Sequence, residues 1–493
     1  MVEQIFTLFA EKAPVCVMMR EILTNVLSAE RLDAVFESTA QKQYTRDLTF
    51  SSLVSLLSDV VTRSRPSPRK AYQSRKEELG VSAKAVYDKI NRTEPATSAA
   101  LVATTARAMQ EVITALGTEL PAVLPGYRVK ILDGNHFSST HRRLKILRGQ
   151  GACLPGQALA ILDPQSQLIE GIVPCEDGHA QERSLVDAFL KLVAPNDVWI
   201  EDRNFCTTKL IFGITQRQGF FVVRQHSQSL RWQPTGEFGA EVAIVDGMMA
   251  EQEITVTNES GEQLSIRRVR ITLTQPTRDG DRELYLLTNL PPGVLATAIA
   301  GVYRSRWQIE TAFREATVDL LCEVPALGHP QAAILVFAVA ALCFNAFSVL
   351  KAALRTQLPA DDEPAPDDRG SVEIANLPQA AIPPQDPPAA QTTIRVTRRD
   401  LGDELSTYHL AENVAGTWQG LNLLLSDAFW NERFERLTPT ELASHLRILA
   451  QRVPLAEFRK RPTKAQRSPT RKPPKPGGHV ATARLLNPAI HRK

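Results

Sequence analysis

PPGVLATAIAGVYRSRWQIETAFREATVDL, residues 291–320, is the most informative stretch of this 493-residue sequence. Two prolines and a glycine precede an uninterrupted run of good helix formers, so the stretch predicts one helix from about Val294 to Thr317. One sector of that helix carries the side chains of Tyr303, Arg306, Glu310, Arg314 and Thr317, with Trp307 beside them. Ion pairs at this spacing also stabilise ordinary surface helices, so this face alone does not indicate a function.

Upstream of this helix, the apolar pattern changes at Gly126 from helical spacing to short runs typical of strands. The resulting order of strand, hairpin, helix, strand and helix is the one expected of a ribonuclease-H-like α/β core. Two aspartates, Asp133 and Asp202, are then predicted to end strands. The predicted elements are a strand Tyr127–Leu132, a hairpin of Gln157–Leu162 and Gln167–Val173, a helix Gln181–Val193, a strand Asp197–Asp202 and a helix from Thr207 to about Gln216.

An antiparallel β insertion is predicted to interrupt this core. After a strand at Gly219–Gln225, runs of alternating apolar and polar residues are separated by turns that contain glycine. We therefore expect the core in two parts, residues 125–226 and 283–355, with the insertion at residues 227–282. The helix that carries Glu310 belongs to the second part.

The pattern Tyr303-x-x-Arg306-x-x-x-Glu310 resembles the signature of DDE transposases of the bacterial insertion-sequence-four family. The flanking words LTNLP, residues 287–291, and RWQIE, residues 306–310, are similar too. In that family the glutamate is the third metal-binding carboxylate, and the tyrosine and arginine hold phosphates of the transposon end. A lysine seven positions after the glutamate completes the signature, whereas this chain has Thr317 there. Arg314 is one turn closer and is a candidate to replace that phosphate contact.

The resemblance implies that Asp133, Asp202 and Glu310 are the catalytic, metal-binding triad. Phosphodiester cleavage and strand transfer need an activated hydroxyl and a neutralised 3′ oxygen, and two Mg²⁺ ions supply both. Mg²⁺ prefers carboxylate oxygens, so three convergent acids suffice to hold it, and Mn²⁺ is the expected substitute. Taken one at a time, each acid has an ordinary alternative: a turn at Asp133-Gly134, or an ion pair of Asp202 with Arg203 or of Glu310 with Arg306.

Several further side chains are candidates for contact with DNA. Trp307 is expected either to stack on a base flipped from the transposon end or to lie in the core. Arg142, Arg143 and Lys145 follow Asp133 closely and are expected to bind phosphate. Lys84 and Lys89 lie on a short predicted helix after a glycine turn and a capping serine, which is the outline of a helix-turn-helix. His136 and His179 are interpreted as structural or as facing DNA.

The remaining segments are assigned by composition. Residues 1–124 have helical spacing and predict a DNA-binding domain, and residues 393–458 are also predicted to be helical. Residues 356–392 are rich in proline, alanine and aspartate and predict a disordered linker. The tail, residues 459–493, has eleven Lys or Arg and no acid, and predicts an unfolded basic arm. Since the whole chain carries +3, residues 1–458 carry a net charge of −8.

Two further patterns concern the cellular compartment and a possible membrane-spanning segment. Six scattered cysteines without a Cys-x-x-Cys pair fit a reducing bacterial cytoplasm, and the N-terminus has no signal-peptide pattern. The apolar run from Ala332, continued to Leu350, approaches the length of a membrane span. Because it is alanine-rich and directly follows the Glu310 helix, we interpret it as a buried core helix, with a membrane protein as the alternative.

Together these patterns predict a DNA transposase. It would bind the inverted-repeat ends of its own element as a homodimer or higher oligomer, cleave them, and join the 3′-OH ends to double-stranded target DNA. One alternative is a transposase-derived DNA-binding protein without catalysis, and another is a nuclease on the same ribonuclease-H-like core.

Overall fold

The fold is taken from a computed structural model of the chain. It describes residues 2–43, 45, 47–137, 145–147, 152–226, 230–244, 247–277, 280–324, 326–358, 405–460 and 479–486. Most of the predicted linker, residues 359–392, and much of the basic tail lie outside these ranges. So do Arg142 and Arg143.

The described part of the first 124 residues is helical, as predicted. Four of its helices begin with a Ser or Thr whose side chain accepts a backbone N–H, which is the expected N-cap. The helices are α1 (Val2–Lys12), α2 (Pro14–Val26), α3 (Ala29–Thr39), α4 (Phe50–Val61), α5 (Pro68–Ser74), α6 (Lys76–Leu79), α7 (Ala83–Arg92) and α8 (Pro95–Leu116).

A mixed sheet occupies the middle of the chain, and its described strands number ten. They are β1 (Arg128–Phe137), β3 (Gly156–Asp163), β4 (Leu168–Cys175), β5 (Asp197–Glu201), β6 (Phe220–Arg224), β7 (Arg231–Pro234), β8 (Val242–Ile244), β9 (Gly247–Thr257), β10 (Gln263–Leu273) and β11 (Glu283–Thr288). A short strand, β2 (Ala152–Leu154), lies outside this sheet. Two helices, α9 (Val186–Leu190) and α10 (Thr208–Gln216), and three 3-10 helices, Lys145–Leu147, Glu182–Leu185 and Arg203–Phe205, connect the strands.

The strand order is β4-β3-β1-β5-β6-β11-β10-β9-β7, with β8 paired to β9. Strand β1 is antiparallel to β3 and parallel to β5, and β5 is parallel to β6. The strands of the predicted insertion are antiparallel to each other, and β11 joins them to the edge strand β6. One side of β6 pairs with β5, and its other side pairs with β11. Through β11 the inserted strands therefore extend the same sheet instead of forming a separate one.

Strand β1 is longer than the sequence pattern predicts. It does not end at Asp133 but continues to Phe137, because its antiparallel pairing with β3 runs on to the pair Phe137 and Gly156. Its parallel pairing with β5, in contrast, ends at Ile131 and Ile200. Asp133 thus lies inside a strand, at the point where one of the two neighbouring strands stops.

The predicted helix from Val294 to Thr317 is two helices, α11 (Ala296–Arg304) and α12 (Trp307–Val318). At the junction, the N–H groups of Ser305 and Arg306 donate to carbonyls three residues back, and the Ser305 hydroxyl donates to the Val302 carbonyl. This tighter local winding separates the two helices. The sequence has neither proline nor glycine at this junction, so composition gave no sign of the break.

The long apolar helix α13 (Pro330–Arg355) is the centre of the larger hydrophobic core. Helices α2, α4 and α8 pack against it, and so does strand β4. It is the helix of the described chain that is long and apolar enough to cross a membrane, yet 94% of its most apolar 18-residue window is buried within the fold. This burial agrees with the prediction of a core helix.

The C-terminal helices cover the same core. They are α14 (Thr407–Leu424), α15 (Asp427–Phe434), α16 (Pro439–Ala450) and α17 (Leu455–Phe458). Part of the predicted unfolded tail is also ordered: β12 (His479–Ala481) pairs parallel to β2, and α18 (Thr482–Leu486) follows it. Val480, Ala481 and Ala483 give this segment an apolar side, and Arg484 pairs with Asp177 at 2.8 Å. The basic composition of the tail as a whole concealed this short apolar part.

Glu21 in α2 makes the stability of the helical region sensitive to pH. Its carboxyl group is fully buried and has no hydrogen-bond partner among the described residues, and burial raises its pKa from 4.5 to about 8. The folded protein therefore holds this proton more tightly than the unfolded chain does. Proton binding by Glu21 therefore stabilises the fold at low pH, and this stabilisation is lost as the pH rises from about 4.5 to about 8. Above about pH 8 the unfolding free energy no longer depends on this group.

We expect Glu21→Gln to remove this pH dependence. The variant should gain a few kcal/mol of unfolding free energy over the wild type at pH 9, and little at pH 5. Urea unfolding at both pH values measures the difference. Glu30→Gln, which changes an exposed carboxyl of α3, is the matched control. A difference between wild type and Glu21→Gln that stays constant from pH 5 to pH 9 would contradict the assignment.

Candidate active site

Asp133 and Asp202 lie at the same level of two neighbouring parallel strands. Asp133 comes two residues after Ile131, Asp202 comes two residues after Ile200, and these two isoleucines are partners in the sheet. Asp202 directly follows β5 and begins a 3-10 helix, where its Oδ1 accepts the backbone N–H of Asn204 at 2.6 Å. The Oδ1 of Asp133 accepts the N–H of Gly134 at 2.9 Å. The sheet therefore brings together the first two predicted acids.

The two aspartates share a partly buried, negatively charged environment. Burial, with smaller contributions from the charges of Asp202 and Glu182, raises the pKa of the Asp133 carboxyl to about 7, against the opposing effects of Arg306 and of the hydrogen bond from the Gly134 N–H. Burial also raises the pKa of Asp202, against the hydrogen bond from Asn204 and the charge of Arg306. Carboxylates crowded in this way favour either a proton or a cation nearby.

Arg306 provides a positive charge at this point. Its Nη1 lies 3.4 Å from Oδ2 of Asp133, and its Nη2 donates to Oε1 of Glu310 at 2.6 Å. Tyr303, on the preceding helix α11, lies beside Arg306, whose positive charge lowers the pKa of the phenol against the larger, raising effect of burial. The structure therefore links the predicted phenol, guanidinium and carboxylate to Asp133 through one side chain. The break between α11 and α12 places Arg306 at this junction.

Helix α12 keeps a polar face outside the core. Glu310 is 43% exposed, the indole of Trp307 is 66% exposed, and Arg314 is also exposed. This exposure places Trp307 outside the core and leaves its face available to a ligand. Thr317 donates its hydroxyl to the Phe313 carbonyl and lies 3.4 Å from the sulfur of Cys322.

Glu182 is a carboxylate near the aspartates that the sequence did not single out. It begins the 3-10 helix Glu182–Leu185, and its Oε1 lies 3.6 Å from Nε2 of His136. The other ring nitrogen of His136, Nδ1, lies 3.2 Å from the Gly178 carbonyl. The one sequence signal for Glu182 was Gly134, because a glycine inside a strand often marks the close approach of another group.

The chemistry of the donors fits a divalent cation, but their arrangement is incomplete. Among the described residues, no group of three or more His, Cys, Asp or Glu side chains is arranged to hold a metal ion. Asp133 and Asp202 offer carboxylate oxygens side by side, whereas Glu310 faces the guanidinium of Arg306. The guanidinium of Arg306 thus lies between Asp133 and Glu310.

The predicted helix-turn-helix is present in outline, and its two lysines differ. Gly80 adopts the left-handed conformation, the Ser82 hydroxyl caps α7, and Lys84 is exposed. Lys89 is partly buried, donates to the Leu48 carbonyl and lies over the ring of Phe36, and its desolvation lowers the pKa of the ammonium. Lys84 thus remains available to DNA, while Lys89 makes contacts within the helical region.

The basic segment after β1 is only partly described. Arg142 and Arg143 lie outside the described residues, and Lys145 begins the 3-10 helix Lys145–Leu147. Helix α18 contacts that 3-10 helix, and β12 pairs with the nearby β2. The backbone of Lys145 is therefore held beside the ordered part of the C-terminal tail.

Comparisons with known proteins indicate a transposase domain in this part of the chain. Residues 125–321 match the family model described as a transposase DDE domain, which supports a DDE transposase. The matched range contains Asp133, Asp202 and Glu310. No curated protein matches the sequence. A solved piggyBac transposase synaptic complex with hairpin DNA aligns over 68% of this chain and 74% of that chain, with 10% identity and a TM-score of 0.32; the likeness is too weak to carry an argument.

Proposed function

We propose that the protein is a DDE transposase of the insertion-sequence-four type, which cleaves the inverted-repeat ends of its element and joins their 3′-OH ends to target DNA. The observation that carries the proposal is the convergence of Asp133, Asp202, Arg306 and Glu310 at one edge of the sheet, inside the range that matches a transposase DDE domain. The strand order and directions from β4 to β6 support a ribonuclease-H-like core, into which the strands from β7 to β10 are inserted.

The carboxylates have separate roles in this proposal. Asp133 and Asp202 would hold the divalent cation, Mg²⁺ or Mn²⁺, since their oxygens are the ligands it prefers. When bound, that cation supplies the Lewis acid that activates the attacking hydroxyl and neutralises the departing 3′ oxygen. Glu310 is exposed on α12 and completes the set once Arg306 turns to the DNA.

The side chains of the α11–α12 junction bind and orient the DNA end. Nε of Arg306 is buried and has no hydrogen-bond partner among the described residues, which leaves a donor for a phosphate oxygen. Tyr303 lies beside the guanidinium and would bind a second phosphate oxygen. Trp307 offers its exposed ring for stacking on an unpaired base. Arg314 is exposed one turn after Glu310 and contributes a second cation to the same face.

The partner is double-stranded DNA, bound by a homodimer or a higher oligomer. Exposed Lys84 on α7 and the basic residues of the tail provide phosphate contacts away from the reaction centre. Cleavage and joining at both ends of an element require two active sites, and one chain carries one set of these acids.

The direct test uses the purified full chain, Mg²⁺, a linear DNA that carries the inverted repeats flanking its gene, and a supercoiled target plasmid. We expect nicks or breaks at the repeat termini and plasmids joined to the 3′ ends. Scrambled repeats of the same composition are the matched control. Cleavage at the ends without joined product would favour a nuclease, and a specific gel shift without cleavage would favour an inactive DNA-binding protein. Either result contradicts the proposal.

A further inference from the structure

Arg63 has an uncommon backbone conformation in the short turn that joins α4 to α5. Its φ angle is 62°, in the left-handed region that residues other than glycine adopt at a cost in energy. Its backbone N–H donates to the Val60 carbonyl at 3.1 Å, and the next residue, Ser64, is buried. Glycine would fit this position without strain, so the Arg63 side chain is expected to make a contact that offsets the cost.

The guanidinium of Arg63 makes such a contact at the C-terminal end of α12. Its Nη2 donates to the carbonyl of Val318, the last residue of α12, at 2.6 Å and lies 3.5 Å from the Leu320 carbonyl. Carbonyls in the last turn of a helix have no partner within the helix, and the helix dipole favours a cation there. The backbone of the turn contributes too, because the Leu321 N–H donates to the Val61 carbonyl at 2.9 Å. The turn after α4 thus contacts the end of α12 through side chain and backbone.

Another polar anchor of α12 also lies in the second half of the helix. Glu315 is buried and pairs with Lys351 of α13 at 3.1 Å. In the first half, the side chain of the N-cap residue Arg306 does not cap the first turn but points to Asp133 and Glu310. Contacts in the second half therefore set where the first half of α12 lies at the active site.

From these contacts we propose that Arg63 is a positioning residue for DNA cleavage, which holds the end of α12 so that Arg306 and Glu310 lie at the active site. The inference rests on the proposed function, because it takes these groups as part of the reaction centre. Glu310 lies only about 12 Å before Val318 along the helix, so a shift at one end reaches the other. The same turn leads into α5, α6 and α7, which joins α12 to the predicted helix-turn-helix.

The first test measures hydrogen exchange of the α12 amides in the full chain without DNA. Arg63→Gly suits the left-handed backbone and removes the guanidinium, so it separates the side-chain contact from the strain. It should unfold at a higher urea concentration than Arg63→Ala, yet its amides at residues 314–318 should exchange at least about fivefold faster than in the wild type. Arg63→Lys should recover part of the protection, because an ammonium can still donate to the Val318 carbonyl. Lys70→Ala, which removes an exposed cation of α5, is the matched control and should exchange like the wild type.

The second test measures single-turnover cleavage of transposon ends at saturating DNA and Mg²⁺. Arg63→Gly should cleave bound DNA about tenfold more slowly than the wild type, because its reacting groups are less well placed. Arg63→Lys should fall between the two, and Lys70→Ala should cleave at the wild-type rate. Affinity for end DNA and its dependence on salt should not change in Arg63→Gly, since the guanidinium donates to protein carbonyls and not to phosphate.

The other possible results would overturn the inference. Unchanged exchange in Arg63→Gly would show that the guanidinium does not hold α12. Faster exchange with a cleavage rate within about twofold of the wild type would leave Arg63 a merely structural residue. Weaker DNA binding, a salt slope reduced by about one and an unchanged cleavage rate would make exposed Arg63 a phosphate contact instead. If the wild-type chain itself does not cleave, the proposed function fails and the role in cleavage fails with it, whereas the exchange result still shows whether Arg63 holds α12.

Discussion

Asp133→Asn is expected to reduce cleavage of the transposon ends by at least about a thousand-fold, because the variant loses a cation ligand that acts on the reacting phosphate. Asp202→Asn should have the same effect, since its carboxylate lies at the same level of the neighbouring strand. Affinity for end DNA should change by less than about threefold, because most of it comes from phosphate contacts elsewhere. Single-turnover cleavage and filter binding measure the two quantities.

Two controls separate this loss of activity from unfolding. Asp187→Asn removes an exposed carboxylate that pairs with Lys209 and should cleave like the wild type. Asp133→Asn itself should be more stable than the wild type at pH 8, because the raised pKa of the Asp133 carboxyl means that ionisation opposes folding as the pH rises from about 4 to about 7. If a folded Asp133→Asn protein cleaved the ends within about tenfold of the wild-type rate, Asp133 would not belong to the site.

The second large effect concerns stability. Asn345, fully buried in the middle of α13, accepts the Ile169 N–H at 2.7 Å and donates to the Ile169 carbonyl at 2.9 Å. Strand β4 is the last strand on that side of the sheet, so no further strand pairs with its outer side. Asn345 therefore supplies the hydrogen-bond partners of the Ile169 N–H and carbonyl. We expect Asn345→Leu to cost about 2–6 kcal/mol of unfolding free energy, because it leaves a buried N–H and a buried carbonyl without partners.

Urea unfolding of Asn345→Leu measures this cost, and Ser348→Ala provides a graded control. The Ser348 hydroxyl donates to the Gln167 carbonyl at 2.8 Å on the same hairpin, so its loss should cost only about 1 kcal/mol. If Asn345→Leu were as stable as Ser348→Ala, the two bonds to Ile169 would not hold β4 to the helix. The same bonds explain why α13, an apolar helix long enough to cross a membrane, contains an asparagine.

Much of the core could be predicted from local patterns. The hairpin of β3 and β4, the short buried strand β5 and the helix after it follow from apolar runs bounded by turn residues, and each is present. Asp202 ends its strand as expected because the turn chemistry after it is local. The alternating runs of the insertion form antiparallel strands for the same reason. Residues 125–321, which contain all three predicted acids, also match a transposase DDE domain.

Other features depend on partners that are distant in the sequence. Strand β1 runs past Asp133 because β3 continues beside it, and β11 joins the insertion to β6 because that edge was open. The split of the predicted helix at Ser305 and Arg306 brings the guanidinium onto Asp133, which is 173 residues away in sequence. None of these contacts changes the spacing of apolar residues in its own segment.

The sequence by itself determined which residue types are available for the chemistry: two strand aspartates and a helix with Tyr303, Arg306 and Glu310. Only the tertiary structure decided how they are arranged. It placed Glu182 against Gly134, engaged Lys89 inside the helical region, and set Arg306 between Asp133 and Glu310. The physical reason is that periodicity and turn signals report short-range preferences of the backbone, whereas the position of a charge depends on desolvation and on partners supplied by other strands and helices.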